Sequence, residues 1–134
     1  MTNRREVMTG AFAVLWQAAA SAQNQAGPAP VFKHELPNVN MDNWEVTVSV
    51  VDYAPGRVGQ AHRHAGFVLA YVMQGTVITK ISGQPETAYT LGQMFYEAPG
   101  STHEVSKNGS ATEPAKLLAM IFAPKGARLT VPVQ

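Results

Sequence analysis

Two histidines separated by one residue, His62 and His64, stand in the stretch Gln60-Ala61-His62-Arg63-His64. The turn-forming Pro55-Gly56 precedes it and the apolar run Phe67-Val68-Leu69-Ala70-Tyr71-Val72 follows. A strand repeats its facing every two residues, so both imidazoles project from one side of it. Two imidazoles on a rigid backbone can grip one divalent ion, and imidazole suits Zn, Cu, Fe and Ni. Gln60 shares that face and is a candidate to help hold the ion, whereas Arg63 points the other way. Glu97 ends the apolar stretch Met94-Phe95-Tyr96-Glu97, just before the turn Ala98-Pro99-Gly100 and a third histidine, His103. If Glu97 points inward, so does Phe95, with Met94 and Tyr96 outward. Glu97 is then placed for general acid–base work, and Tyr71, in the strand after the histidine pair, for donation to an oxyanion. His34 reads as a surface residue.

The composition narrows what else these residues can do. The chain has 134 residues and no cysteine. Disulfides, thiolate metal sites and a cysteine nucleophile are therefore excluded, and any metal must be held by histidine, carboxylate or amide groups. Ten Lys+Arg face nine Asp+Glu, a balance that does not point to nucleic acid. The length allows one domain with a modest core.

Short strands must position the candidates. Residues 44–53 alternate apolar and polar side chains and form the clearest strand. Further strands are expected at 31–36, at the histidine pair, and over 67–73, 77–81, 86–90, 94–97, 103–106, 117–123 and 129–131. Gly/Pro turns separate most of them, and no segment has helical periodicity. Leu117 to Ala123 is apolar throughout, as in a strand buried on both faces. About ten residues per strand with such turns argues for an antiparallel sandwich or barrel, whose interior can hold a small ligand.

The first 22 residues read as an address. Arg4-Arg5 opens the chain, an apolar run follows from Gly10 to Ala20, and Ala20-Ser21-Ala22 is a small-x-small cleavage pattern. The adjacent arginines resemble a twin-arginine signal, although Val7, Met8 and Thr9 stand where Phe, Leu and Lys are usual. Cleavage after Ala22 removes Arg4, Arg5 and Glu6, leaving a mature chain of balanced charge that is periplasmic or secreted. The apolar run is shorter than the roughly 20 residues of a membrane span. The expected organisation is a signal peptide at 1–22, a linker with a first short strand at 23–43, and a β-barrel at 44–134.

These motifs resemble the cupin family. Gly56, then His62-Arg63-His64, then Gly75 is similar to the first cupin motif; Gly92, then Gly100-Ser101-Thr102-His103, is similar to the second. The resemblance spans roughly Trp44 to Phe122. It implies an all-β, single-domain jelly-roll barrel with one divalent metal, Mn, Fe, Ni or Zn, held by His62, His64 and His103. Three departures stand out. Val68 occupies the place of the family's usual glutamate ligand, Ala98 that of a proline, and Lys107 that of the closing asparagine, with Asn108 one position later. Gln60 and Glu97 are the two residues that could replace the lost glutamate.

Three protein ligands with open positions is the arrangement of catalytic rather than closed structural sites. The leading expectation is a metal-dependent enzyme acting on a small oxygen-rich molecule. A non-catalytic module for metal or a small ligand and an oxygen-activating dioxygenase are the alternatives, since cupins host many chemistries. The expected partner is a small molecule, not nucleic acid or a membrane interior. A homodimer through the sheet that contains Trp44 is compatible with the pattern.

Overall fold

The computed structural model describes residues 27–134. The expected signal peptide and most of the linker's first residues lie outside them. Nine strands follow in order: β1 Trp44–Tyr53, β2 His62–His64, β3 Phe67–Gln74, β4 Thr76–Ile81, β5 Thr87–Thr90, β6 Met94–Glu97, β7 Thr102–Asn108, β8 Ala115–Pro124 and β9 Thr130–Pro132. They form two antiparallel sheets, β1-β8-β3-β6 and β5-β4-β7-β2-β9. The fold is an all-β jelly roll.

The apolar run that follows the histidine pair becomes the inner wall of the first sheet. Val68, Ala70 and Val72 on β3 are buried inward beside Leu117 and Ile121 of β8. Phe67 is buried too, but its parity sends it to the other face. There it stacks on Phe122 at 4.7 Å with its ring nearly parallel, and Trp44 and Tyr96 lie about 6 Å away. Tyr96 is covered in turn by His34, with 4.0 Å between ring centroids. Residues 31–36 therefore do not form the expected strand. They lie extended against side chains of the outer face instead of along a sheet edge, so no ladder partner is available to them.

β1 turns its two faces in an instructive way. Its valine row, Val46, Val48 and Val50, is about half exposed on the outside of the sheet. Ser49, Val51 and Tyr53 face inward. β8, apolar from Leu117 to Ala123, is fully buried at Leu117, Ile121 and Ala123 and only half-buried at Leu118, Met120 and Phe122 between them.

Two glycines are required by close approach. A Cβ on Gly66, between β2 and β3, would sit 1.8 Å from the Phe122 carbonyl oxygen. At Gly75 the backbone has φ 70° and a Cβ would lie 2.5 Å from the Pro114 oxygen, which only glycine tolerates.

A bulge in β7 explains the displaced asparagine of the second motif. Lys80 pairs with Val105 while Ile81 pairs with His103, so Glu104 is an extra residue in the ladder. One extra residue reverses the facing of everything after it. His103 points in, Glu104 is exposed, and Ser106 and Asn108, instead of Val105 and Lys107, are buried. Asn108 then closes the loop. Its Nδ2 donates to the carbonyls of Tyr53, Ala54 and Glu113, and its Oδ1 accepts from the Ser110 amide.

Candidate functional site

The β2–β7 ladder sets His62 directly opposite His103, with 4.9 Å between ring centroids. His64, two residues on, shares the face of His62, and their centroids are 4.7 Å apart. Glu97 reaches the same place from the other sheet, at the end of β6, with Phe95 pointing inward beside it. One ligand-capable atom from each of His62, His64, Glu97 and His103 lies within 4.8 Å of all the others.

Backbone carbonyls fix the tautomers of the histidine pair. His62 Nδ1 lies 2.8 Å from the Gln60 carbonyl oxygen, and His64 Nδ1 lies 3.1 Å from that of Leu129. Thr130 Oγ1 is also 3.1 Å from His64 Nδ1. A carbonyl only accepts, so each Nδ1 carries the proton and each Nε2 keeps a lone pair. Burial, partly opposed by the Glu97 charge, lowers the pKa of His64 and holds it neutral.

His103 and Glu97 complete the cluster. His103 Nδ1 donates to Glu97 Oε1 across 2.7 Å, and Glu97 Oε2 lies 3.5 Å from His64 Nε2. Both residues are only 4% exposed. His103 Nε2 is buried and has no hydrogen-bond partner among the described residues. A buried polar atom without a partner is costly, and a cation beside its lone pair supplies one. Three imidazoles able to present a nitrogen lone pair, together with one carboxylate, fit a divalent ion of the kind that takes mixed nitrogen and oxygen ligands.

The missing motif glutamate has a structural counterpart. Val68 on β3 is the register partner of Glu97 on β6. Residues paired across an antiparallel ladder share a face, with Cβ atoms about 5 Å apart. The carboxylate that would descend from position 68 comes instead from the neighbouring strand.

The cluster opens onto a cavity of about 310 Å³ between the sheets. Val68, Ala70, Phe95, Leu117 and Ile121 supply apolar wall, and Tyr53 and Ser106 supply hydroxyls. Gln60 meets the site through its backbone carbonyl; its side chain is exposed and does not line the cavity. Tyr71 is not brought to the site. Its parity places it on the face opposite Ala70, and its hydroxyl lies near Gly92. Arg63 is exposed and donates through Nε to Thr102 Oγ1. Tyr53, Ser106, Leu129 and Thr130 are among the lining residues that the sequence did not single out. The parity of Tyr53 with Ser49 and Val51 was readable; that of Ser106 was hidden by the bulge.

A family model described as the cupin domain matches residues 49–121, more than half of the chain. The chain belongs to the cupin family. No curated protein matches the sequence. Among solved structures, this cupin is similar to a conserved protein with a double-stranded β-helix domain from Klebsiella pneumoniae. That pair is 21% identical, with a TM-score of 0.55, covering 66% of this chain and 76% of the other. It is similar to an oxalate oxidase in complex with the substrate analogue glycolate, at 22% identity and TM-score 0.54, covering 82% and 67%. It is also similar to the DMSP lyase DddQ from Ruegeria pomeroyi, at 16% identity and TM-score 0.57, covering 66% of this cupin. The match spans only 43% of that lyase. At these identities the likeness concerns the fold.

Proposed function

We propose that this cupin holds one divalent ion, Mn, Fe, Ni or Zn, through His62, His64, His103 and Glu97. We further propose that it is a metal-dependent enzyme acting on a small oxygen-containing molecule. The observation that carries the reading is the cluster of four residues whose ligand-capable atoms lie within 4.8 Å of one another, with the buried Nε2 of His103 left without a partner among the described residues. The open cavity favours an enzyme over a module that only stores the ion, because a reactant has room beside the cluster. When bound, such an ion polarises a ligand oxygen or acidifies a bound water. The chain's own part is to keep the His64 imidazole neutral by burial, to set the direction of His62 and His64 through the Gln60 and Leu129 carbonyls, and to hold the Glu97 carboxylate against the His103 N–H. The similar structures carry the names of an oxidase and a lyase, so the fold does not select the reaction. Elemental analysis tests the reading. Wild-type protein is expected to carry close to one ion per chain, and His62→Ala and His103→Ala to carry none; retained metal in either variant overturns the ligand set.

Export and self-association belong to the same proposal. The Arg4-Arg5, apolar-run and Ala20-Ser21-Ala22 order supports a periplasmic or secreted product. A homodimer is supported by β1, an edge strand ten residues long whose valine row is exposed. Such an edge is a template for pairing, and a second copy offers the same edge in two-fold symmetry.

A further inference from the structure

The cavity beside the cluster has a charge pattern that restricts what can enter it. Among the described residues its lining contains no lysine or arginine, and its one carboxylate is Glu97. Arg57 lies over the Tyr53 ring with 5.7 Å to the centroid, but it is exposed and does not line the cavity. One divalent ion and one carboxylate leave a single positive charge. A ligand with one negative charge cancels it, whereas a second negative charge would be buried with no partner.

A second polar point lies within the same wall. Tyr53 Oη and Ser106 Oγ are 2.7 Å apart and both side chains are buried. Each hydroxyl has one proton. Whichever oxygen donates within the pair, the proton of the other has no protein acceptor among the described residues. Burial raises the pKa of Tyr53 and keeps the phenol protonated, with the Ser106 hydrogen bond acting in the opposite sense. The pair is therefore a fixed donor facing a mostly apolar space. Ser106 reaches it only because the β7 bulge turns it inward.

Resting on the metal reading above, we propose that the cavity takes a compact, largely apolar molecule of at most one negative charge. Its oxygen-bearing end meets the His62–His64–Glu97–His103 cluster, and a hydrogen-bond acceptor elsewhere on it meets the Tyr53–Ser106 pair. Dicarboxylates are discriminated against. The distinction is one of wall chemistry, because an ion in water binds a small dicarboxylate readily, and only the absence of a cation in the lining turns the preference round.

Two probes test this by titration calorimetry on metal-loaded protein of measured metal content. Maltol is a hydroxypyranone with two adjacent oxygens at one end, an apolar ring, and a ring oxygen as acceptor at the other. Oxalate is a dianion that also chelates a metal, through one oxygen of each carboxylate. Maltol is expected to bind at least about tenfold more tightly than oxalate, the ratio that about 1.4 kcal/mol confers. Tyr53→Phe and Ser106→Ala are each expected to weaken maltol about two- to tenfold, the worth of one hydrogen bond, and to leave oxalate unchanged. Ser49→Arg, which places a cation at an exposed lining position, is expected to strengthen oxalate alone. Oxalate binding as tightly as maltol, or maltol indifferent to both hydroxyl variants, overturns the inference. Should the protein carry no metal, the metal reading fails on that measurement alone. The same ranking of probes is still expected from the walls of the metal-free protein, and a reversed ranking, or no maltol binding in either sample, overturns the cavity inference.

Discussion

At the scale of single residues, the site rests on where one carboxylate comes from. Glu97 accepts from His103 Nδ1 through one oxygen and presents the other 3.5 Å from His64 Nε2. Its register partner is Val68. Moving the carboxylate across that pair is therefore a conservative change in position, although a drastic one in sequence. Glu97→Val alone removes the acceptor of a buried N–H and is expected to cost about 10- to 100-fold in metal affinity, the usual loss when a group supporting a ligand is removed. Val68→Glu alone sets two buried carboxylates face to face and is expected to lower the thermal midpoint of metal-free protein. The double variant, Val68→Glu with Glu97→Val, is expected to recover most of the affinity. Chelator competition on the three proteins checks it, and a double variant no better than Glu97→Val refutes the exchange.

At the scale of elements, the β7 bulge decides which side chains line the interior. Without the extra residue at Glu104, regular alternation from His103 would turn Val105 and Lys107 inward. With it, Ser106 faces the cavity and Asn108 ties β1, β7 and the loop before β8 together. Asn108→Ala leaves buried carbonyls without a donor and is expected to cost about 1–3 kcal/mol. A urea midpoint lowered with unchanged slope is the measurement; an unchanged midpoint would mean that those carbonyls find other donors. The histidine geometry depends on elements in the same way. β9 is an edge strand of three residues, yet its register with β2, together with the preceding Leu129 carbonyl, holds the His64 ring.

At the scale of the whole molecule, the outer face of the first sheet and the chain's beginning carry the remaining expectations. Val48→Lys puts a charge in the middle of the exposed valine row. It is expected to shift the protein from dimer to monomer in sedimentation, and a wild-type monomer at the same concentration would remove the dimer. The exported product is expected to start at Gln23, by intact mass of protein from the periplasm or medium. A soluble product that retains Met1 and stays in the cytoplasm would remove the signal assignment.

Local spacing was enough to place most strands, because side-chain facing, turns and apolar runs are properties of short stretches. Residues 44–53, the His62/His64 pair and the inward parity of Phe95 with Glu97 were legible in this way. The resemblance to cupins, carried by residues from two separated motifs, brought His62, His64 and His103 together as expectations, and the family match to residues 49–121 agrees with it. Four matters depended on contacts between distant parts of the chain. Residues 31–36 looked like a strand but cover the Tyr96 side chain, since β-propensity does not tell an edge from a face. Tyr71 looked available but lies on the far side of β3, because which face is inner is set by the opposing sheet. Glu97 becomes the neighbour of Val68 only through a ladder between strands separated in sequence, and one bulged residue chooses Ser106 over Val105. The sequence by itself determined the residue types, the strands and the family. The tertiary structure alone decided register and which face of each strand is the inner one, because both are set by the strands and sheet opposite and not by any one strand.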